Sequence, residues 1–220
     1  MFKYETHIHT MQASACARIT GGEQAIQYKE CGYDGIMITD HFFRGNTCIR
    51  KDMPWKERIN MFCSGYEDAK KTGDNIGLKV FFGYEETYDG TDFLVYGVDK
   101  EWMLQHPEME FWTIEQQYKE IHKAGGIVIQ AHPFRDRYYI PKIRLYPHNV
   151  DGVEVINKSN LPEENQQALE YATKYNLPMT CGSDGHRDRV LGGGIAVEHE
   201  LYSIQDYIDL IKRKEKLTLL

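Results

Sequence analysis

The chain has 220 residues, of which 41% are hydrophobic, and a formal net charge of -7. This length is enough to bury one substantial core, and no Pro- or Ser-rich linker divides it, so we expect a single domain over residues 1–220. The acidic balance argues against a long nucleic acid as partner, and the N-terminal stretch lacks the apolar run of a signal peptide or membrane span, so we expect a cytoplasmic protein without a membrane partner.

Short apolar runs alternate along the chain with longer amphipathic stretches. In chain order, we predict strands over residues 3–9, 33–40, 78–85, 92–98, 126–132, 150–157, 177–183 and 194–197. Helices are predicted over 24–31, 55–71, 114–123, 163–175 and 204–214. Three of the five begin with the Ser/Thr and acidic or Gln pattern of a helix N-terminal capping box. Strands that alternate with helices indicate a parallel sheet covered by helices.

Polar side chains recur at the points where the predicted strands end. The endings are His7-Ile8-His9, Thr39-Asp40-His41, Tyr84-Glu85-Glu86, Ala131-His132-Pro133, Glu154-Val155-Ile156-Asn157 and Ser183-Asp184-Gly185-His186. In a closed parallel barrel all strand ends face one rim, where barrel enzymes carry their active sites, whereas an open sheet would spread them along a line. We therefore predict an α/β barrel, with fewer or less regular units than the usual eight because 220 residues is short for that architecture.

Two of these strands place metal-ligand types on buried positions. His7 and His9 are two residues apart, so on a strand both imidazoles face the same side, although such a pair alone is also typical of surface histidines. Glu85 ends an apolar run, where a carboxylate without a cation would cost roughly several kcal/mol, and it can bridge two ions. We expect Glu86 to face solvent. Asp92 is either a turn residue or a further group in the same cleft.

The remaining strand ends repeat this mixture of imidazole and carboxylate. Asp40 and His41 follow a buried strand, where a helix cap and a satisfied buried imidazole are the alternative interpretations. His132 closes a very apolar run, and Asp184 and His186 flank a glycine that allows the backbone close to an ion. Mixed nitrogen and oxygen ligands suit Zn, Mn or Fe. Since there are more ligands than one ion can use, we predict two or three divalent metal ions.

In this combination and order the motifs resemble the PHP (polymerase and histidinol phosphatase) family of metal-dependent phosphoesterases. The matching segments are His7-Ile8-His9-Thr10, Thr39-Asp40-His41, Gly83-Tyr84-Glu85, Ala131-His132-Pro133 and Gly182-Ser183-Asp184-Gly185-His186. The resemblance implies a distorted (β/α)7 TIM-like barrel and usually a centre of three metals.

The resemblance also implies a role for each ligand. The first metal would be bound by His7, His9, Glu85 and Asp184, the second by Glu85 and His132, and the third by His41 and His186. Asp92 stands near the place of a further family histidine at the second metal, so Asp92 or water is expected there. The segment after the first motif lacks the family's usual Asp or His for the third metal, which leaves Cys16 as a candidate.

The reaction implied is the hydrolysis of a phosphate ester. A hydroxide that bridges the first two metals is expected to attack phosphorus, because bound metals lower the pKa of water to about 7. We expect Asp40 and His186 to act in catalysis, Asp40 by orienting His41 or a water. Three basic residues that follow strand ends are expected to bind the phosphate: Arg135, Lys158 and Arg187.

Several alternatives stay open at this point. The substrate is expected to be a small phosphomonoester such as histidinol phosphate or a nucleotide, or the end of a short oligonucleotide. An amidohydrolase-type hydrolase also begins with the His-x-His pattern, but no lysine ends one of these strands as its usual metal bridge would. A non-catalytic metal-binding module is the third interpretation, because the third site lacks a usual ligand. The sequence does not indicate the oligomeric state.

Overall fold

Nine strands form a single sheet. In the computed structural model, which describes residues 1–220, they are β1 (Phe2–Ile8), β2 (Gly35–Ile38), β3 (Lys79–Tyr88), β4 (Thr91–Tyr96), β5 (Ile127–Gln130), β6 (Gly152–Asn157), β7 (Met179–Gly182), β8 (Ile195–Val197) and β9 (Thr218–Leu219). Their spatial order is β7-β6-β5-β4-β3-β2-β1-β8-β9. All eight predicted strands are present, and β9 is an addition that pairs with β8.

Seven α-helices connect the strands. They are α1 (Gly21–Glu30), α2 (Trp55–Phe62), α3 (Ser64–Ile76), α4 (Lys100–Gln105), α5 (Ile114–Lys123), α6 (Pro162–Lys174) and α7 (Ile204–Lys212), with a 3-10 helix over Pro107–Phe111. The predicted capping boxes at Thr20 and Thr113 are confirmed. The helix predicted over 55–71 is two helices that meet at Cys63. None of these helices combines the length and the apolar character that crossing a membrane requires.

The first seven strands curl into a nearly closed barrel. β1 runs beside the segment that follows β7, where the Asp184 amide donates to the His7 carbonyl at 2.8 Å and the His9 amide donates to the Gly185 carbonyl at 3.0 Å. Below this seam, β1 pairs with β8, with Phe2 opposite Val197. The predicted α/β, TIM-like barrel fold is therefore confirmed, with its seam between β1 and β7.

The strands are not all parallel, and here the sequence-based expectation is wrong. β4 runs antiparallel to both β3 and β5. The cause is local: Asp89 and Gly90 have positive φ angles of 50° and 80°, and such a pair of residues forms a tight hairpin turn. As a result β4 enters the barrel from the rim, and Asp92 near its start lies beside the strand ends that carry the histidines.

An apolar core supports the barrel on the side opposite the rim. Tyr4, Leu94, Tyr96 and Ile129 of the strands pack in one buried cluster with Ile208 of α7. A second buried cluster packs β3, β4 and β5 against α2 and α5. Apolar contacts of this extent fix the strands, so that the polar side chains at their ends are held in one arrangement.

Candidate metal centre

The strand ends bring four predicted ligands and their shared carboxylate into contact. The Nε2 atoms of His7 and His9 lie 3.1 Å apart, and Glu85 Oε1 lies 3.4 Å from His7 Nε2 and 3.1 Å from His132 Nε2. Asp184 Oδ1 lies 3.1 Å from His9 Nε2. All five side chains are buried. Residues that are far apart in the sequence therefore form one polar cluster at the rim.

Within this cluster three overlapping groups have the spacing of metal ligands. The groups are His7, His9 and Asp184; His7, Glu85 and His132; and His9, His41 and His186. In each, the ligand atoms lie within 4.8 Å of one another. This arrangement parallels the three predicted sites, with His7 also facing the second site and His9 the third.

The chemistry of these donors fits divalent cations. Glu85 Oε2 and His41 Nδ1 lie 2.6 Å apart, yet both are buried without a hydrogen-bond partner. Burial, with His186 and His41 nearby, holds the pKa of His9 well below its usual value, so its imidazole is neutral, which is the form that binds metal. Burial raises the pKa of Glu85, but His41 and His7 lower it by more, so that the net shift is downward and the carboxylate stays ionised.

Glu154 of β6 fixes the outer side of His7. Its Oε1 lies 2.9 Å from His7 Nδ1, while its Oε2 accepts from the backbone amide of His132 at 3.1 Å and from the Asn157 amide at 2.9 Å. A carboxylate on the outer nitrogen sets the ring orientation and tautomer of a ligand histidine. Glu154 therefore links the two histidines that face Glu85.

Asp40 makes no hydrogen bond to the imidazole of His41, one of the two groups that it is predicted to orient. It accepts hydrogen bonds from the Thr10 amide at 2.6 Å, the Thr10 hydroxyl at 2.6 Å and the Ser14 hydroxyl at 2.7 Å. Ser14 Oγ in turn lies 3.2 Å from His9 Nδ1 and accepts from the His41 amide at 3.0 Å. Asp40 thus acts on His9 through Ser14 and is buried behind the cluster.

Asp92 lines the cleft but faces a different side of His132 from the other ligands. Its Oδ1 accepts from the Thr87 hydroxyl at 2.6 Å, and its Oδ2 lies 4.0 Å from His132 Nδ1, the nitrogen that points away from Glu85. Asp92 belongs to none of the three groups. Its carboxylate lies near the outer nitrogen of His132 without a hydrogen bond to it, so a ligand role for Asp92 stays a prediction.

Cys16 lies in the loop after β1 and borders the same cleft as His41 and His186. Burial raises the pKa of its thiol, but the neighbouring His186 and His41 lower it more, and the pKa falls to about 6. The Nδ1 of His186 lies 2.7 Å from the Asp184 carbonyl oxygen. That contact leaves His186 Nε2 free to bind a metal.

The three predicted phosphate-binding residues occupy different environments. Arg135 is anchored by Asp184 Oδ2 at 2.6 Å, Asn157 Oδ1 at 2.9 Å and Asn160 Oδ1 at 2.8 Å. Arg187 is exposed and lines the cleft. The structure does not bring Lys158 there: its amide donates to the Gly182 carbonyl at 3.0 Å, and its side chain is exposed outside the cleft.

Sequence reasoning missed Arg44 and misplaced Glu86. Glu86 is 1% exposed rather than solvated, and its Oε2 lies 3.4 Å from Arg44 Nη1. Burial raises the pKa of Glu86 to about 7 against the lowering effect of Arg44. Arg44 also donates to the carbonyls of Glu110 and Trp112 and lines the cleft. Its only signal in the sequence is its place three residues after His41.

An open cleft of about 740 Å³ leads to this cluster. His41, His132, Asp184 and His186 border it, together with Arg44, Arg135 and Arg187 and the aromatic pair Tyr138 and Tyr139. This volume is that of a small-molecule site. The arrangement therefore combines buried metal-ligand types with positive charge and an opening to solvent.

The sequence and the fold are both similar to known proteins. Residues 162–213, from α6 to the end of α7, match the PHP-associated family model PHP_C. A two-domain protein from Bacteroides vulgatus that contains a predicted PHP-like metal-dependent phosphoesterase superposes with a TM-score of 0.62 and 18% identity, over 85% of this chain and 52% of that one. The predicted resemblance to the PHP family is confirmed.

Other solved structures share the fold of this chain. A protein from Bifidobacterium adolescentis, described as a proposed metal-dependent phosphoesterase, has a TM-score of 0.60 and 16% identity, over 97% of this chain and 96% of that one. An amidohydrolase from Chromobacterium violaceum, with bound sulfate and no metal, has a TM-score of 0.63 and 14% identity, over 95% and 96%. This chain spans about half the length of the Bacteroides protein, and no curated protein shows significant sequence similarity to it.

Proposed function

We propose that this PHP-like protein hydrolyses a small phosphate ester, most simply a phosphomonoester, with two or three divalent metal ions. The observation that carries the proposal is the convergence of three buried histidines, His7, His9 and His132, with two buried carboxylates, beside an open cleft lined by three arginines. Neighbouring proteins described as metal-dependent phosphoesterases support the same class of reaction.

The residues of the cluster fit Zn, Mn or Fe as cofactors. His7, His9 and Asp184 would hold one ion, His7, Glu85 and His132 a second, and His9, His41 and His186 a third. Bound divalent ions supply an activated water at neutral pH and neutralise charge on the phosphoryl group. The chain itself keeps Glu85 ionised and His9 neutral, which are the forms that bind metal.

The arginines have distinct roles in this proposal. Arg187 is exposed at the cleft and free to contact phosphoryl oxygens, for which a guanidinium offers a bidentate fork. Arg135 uses three of its five donors on Asp184, Asn157 and Asn160, so it primarily positions Asp184. The proposed partner is a small phosphorylated molecule, and we propose a cytoplasmic location on the sequence argument alone.

The proposal is tested by measuring bound metal in the purified chain and then hydrolysis of an aryl phosphate with Mn or Zn. We expect at least two ions per chain and metal-dependent release of phosphate. The double variant His7→Ala, Glu85→Ala should lose metal and fall by at least about 100-fold in kcat/KM, because it removes shared ligands. Full activity in that variant, or a native protein without metal, would contradict the proposal.

A matched control separates loss of the site from loss of a histidine–carboxylate pair. His122 lies 2.8 Å from Asp151, outside the cleft. The variant His122→Ala should keep its metal content and activity. A comparable loss there would indicate a general effect on folding.

An amidohydrolase-type reaction is the second candidate, favoured by the similarity to the Chromobacterium amidohydrolase. The charge of the cleft supports a phosphate ester instead, because all of its cationic side chains other than histidine are arginines. Hydrolysis of an amide or a lactone, without hydrolysis of phosphate esters, would decide for the second candidate. A non-catalytic module is disfavoured because the cluster opens into the cleft, as catalytic metal sites do.

A further inference from the structure

The segment that joins β5 to β6 runs along the rim beside the metal centre. It spans residues 131–151, carries the predicted ligand His132 near its start and contains no helix or strand. Connections of this length without secondary structure are uncommon in a compact domain, and those that are ordered usually have a function. The side chains that this segment presents to the cleft therefore bear on the substrate.

Hydrogen bonds to buried side chains hold the segment in two places. The Asp136 amide donates to Oε1 of the buried Glu164 at 2.9 Å. The side-chain amide of the buried Gln130 donates to the Arg144 carbonyl at 2.7 Å. Residues 137–143 lie between these two anchors, so their side chains have a defined place at the cleft.

Two tyrosines of this stretch present open aromatic rings to the cleft. Tyr138 is fully exposed and Tyr139 is 62% exposed, and both line the cleft. Their ring centroids lie 5.3 Å apart at an interplanar angle of 86°, and neither ring packs in the buried apolar clusters. Neighbouring aromatic rings left open at the wall of a cleft are typical of a surface that a ligand covers.

The charges of the cleft indicate which part of a ligand reaches these tyrosines. The metal-ligand groups and the exposed Arg187 border the same cleft and fit a phosphoryl group. With a volume of about 740 Å³, the cleft has room for a whole small molecule, of which the phosphoryl group is only a small part. The half of the substrate that covers Tyr138 and Tyr139 is therefore the alcohol.

We propose that this alcohol carries a planar aromatic ring, and that Tyr138 and Tyr139 select the substrate by stacking against it. The two tyrosine rings are nearly perpendicular, so a ligand ring that stacks on one can make an edge-to-face contact with the other. A nucleobase and an aryl group share this chemistry, since each has a π face. The inference rests on the proposed function, because it takes the phosphate to bind at the metal centre.

The experiment compares two pairs of phosphate esters on the full chain loaded with Mn or Zn. One pair is adenosine monophosphate and the ribose phosphate that lacks only the adenine, and the other is benzyl phosphate and cyclohexylmethyl phosphate. Both members of each pair release a primary alcohol, so they differ in the ring and hardly in intrinsic reactivity. The native chain should favour the aromatic member of at least one pair by about tenfold or more in kcat/KM, the effect of one stacked ring.

Variants then test whether the two tyrosines cause this preference. The double variant Tyr138→Leu, Tyr139→Leu keeps apolar side chains but removes both π faces, so the preference should fall to about twofold or less. Its metal content and its kcat/KM for the ring-free member should stay as in the native chain. The double variant Tyr138→Phe, Tyr139→Phe should keep the preference, because phenyl rings stack in the same way. Tyr202→Leu is the matched control, because Tyr202 is 73% exposed and lies outside the cleft.

The outcomes separate this inference from the proposed function. A preference in the nucleotide pair alone identifies the ring as a nucleobase, and a preference in the benzyl pair alone identifies it as an aryl group. No preference in either pair, or a preference that the leucine variant retains, overturns the inference and leaves the proposed function standing.

If no phosphate ester is hydrolysed, the proposed function fails, and calorimetry with the same compounds decides the inference. The aromatic member of a pair should then bind the native chain about tenfold more tightly than the ring-free member, and the leucine variant should bind both alike. Equal affinities for the native chain would overturn the inference as well.

Discussion

At the scale of single residues, the ligand histidines depend on groups that touch their outer nitrogens. Glu154 lies 2.9 Å from His7 Nδ1, whereas Ser14 faces His9 Nδ1 at 3.2 Å. The pKa of His7 is therefore raised well above its usual value. Burial lowers this pKa, but the carboxylates of Glu154 and Asp184 raise it more. The two histidines of one motif therefore differ in the direction of their pKa shifts and in the groups that support their outer nitrogens.

The first prediction concerns Glu154. The change Glu154→Gln keeps the shape of the side chain but removes the charge that holds His7, so metal affinity should fall by about 10- to 100-fold. Competition with a chromophoric chelator measures this affinity. Asp151→Asn is the matched control, because it neutralises the carboxylate that pairs with His122 outside the cleft. Equal affinities for all three proteins would contradict the role given to Glu154.

The second prediction separates the roles of Arg135 and Arg187, two of the three arginines that line the cleft. Arg187→Ala should raise KM for a phosphate ester by about tenfold, the loss of roughly one charge-assisted hydrogen bond, with metal content unchanged. Arg135→Ala should instead lower metal content, because Arg135 holds Asp184 at 2.6 Å. The exposed Arg189 of the same loop is the control, and Arg189→Ala should change neither quantity. A KM effect of equal size in Arg189→Ala would argue against a specific phosphate contact.

The sequence predicts which residue types gather at the site better than it predicts their contacts. His7, His9, His132 and Asp184 meet because each lies at or just beyond the end of a strand on the same rim. Glu85 joins them from within β3, which continues to Tyr88. Contacts between side chains depend on geometry that a strand pattern does not contain.

Two residues show this limit. Lys158 follows a strand end like the others, yet its backbone bond to Gly182 leaves the side chain outside the cleft. Glu86 was expected in solvent from alternation along β3, but Arg44 of another segment covers it.

At the scale of elements, the positions of the strands and main helices follow from apolar periodicity and capping patterns. The direction of β4 does not, because it depends on the turn at Asp89 and Gly90 rather than on any pattern in the strand itself. Helices α1 and α3 pack closely because glycines face each other: a Cβ on Gly21 would lie 2.0 Å from the Gly65 carbonyl oxygen. This packing brings α3 against the residues behind the metal cluster.

The third prediction tests that contact. In Gly65→Ala the new methyl group would lie 2.0 Å from Thr10 Oγ1 and 3.0 Å from Asp40 Oδ2. Because both partners are buried, the free energy of unfolding should fall by about 1 to 3 kcal/mol, and metal affinity should fall with it. Urea unfolding measures the first effect. Lys71→Ala, an exposed change on the same helix, should alter neither quantity by more than about 0.5 kcal/mol.

At the scale of the whole molecule, the barrel and the metal cluster depend on one another. The ligands come from five regions of the chain that only the folded barrel brings together, so metal binding and folding must be coupled. Removal of metal with a chelator should therefore lower the melting temperature. For an ion at about 100 times its Kd, the loss is about 2.7 kcal/mol, which corresponds to about 5 to 10 °C for a chain of this size.

Calorimetry with and without chelator checks this fourth prediction. Addition of zinc or manganese in excess should restore the melting temperature. The double variant His7→Ala, Glu85→Ala should respond little to the chelator, since it lacks shared ligands of the first two groups. If the chelator left the melting temperature of the native protein unchanged, the cluster would hold no metal that stabilises the fold.

The fifth prediction concerns the seam at which the barrel closes. Glu5 is fully buried there, and its Oε1 accepts from the His7 and Ser183 amides at 3.0 Å each, while the Tyr28 hydroxyl donates to Oε2 at 3.1 Å. In Glu5→Ala both amides lose their partner inside the barrel, so the free energy of unfolding should fall by about 2 to 5 kcal/mol.

Loss of this carboxyl should also loosen the site, because the two amides belong to the segments that carry His7 and Asp184. We therefore expect Glu5→Ala to bind metal more weakly even at temperatures where it remains folded. Glu5→Gln retains an oxygen in the position of Oε1, so it should keep most of the stability and the metal affinity. If Glu5→Ala bound metal as tightly as the native chain, the seam would not be what aligns the two halves of the cluster.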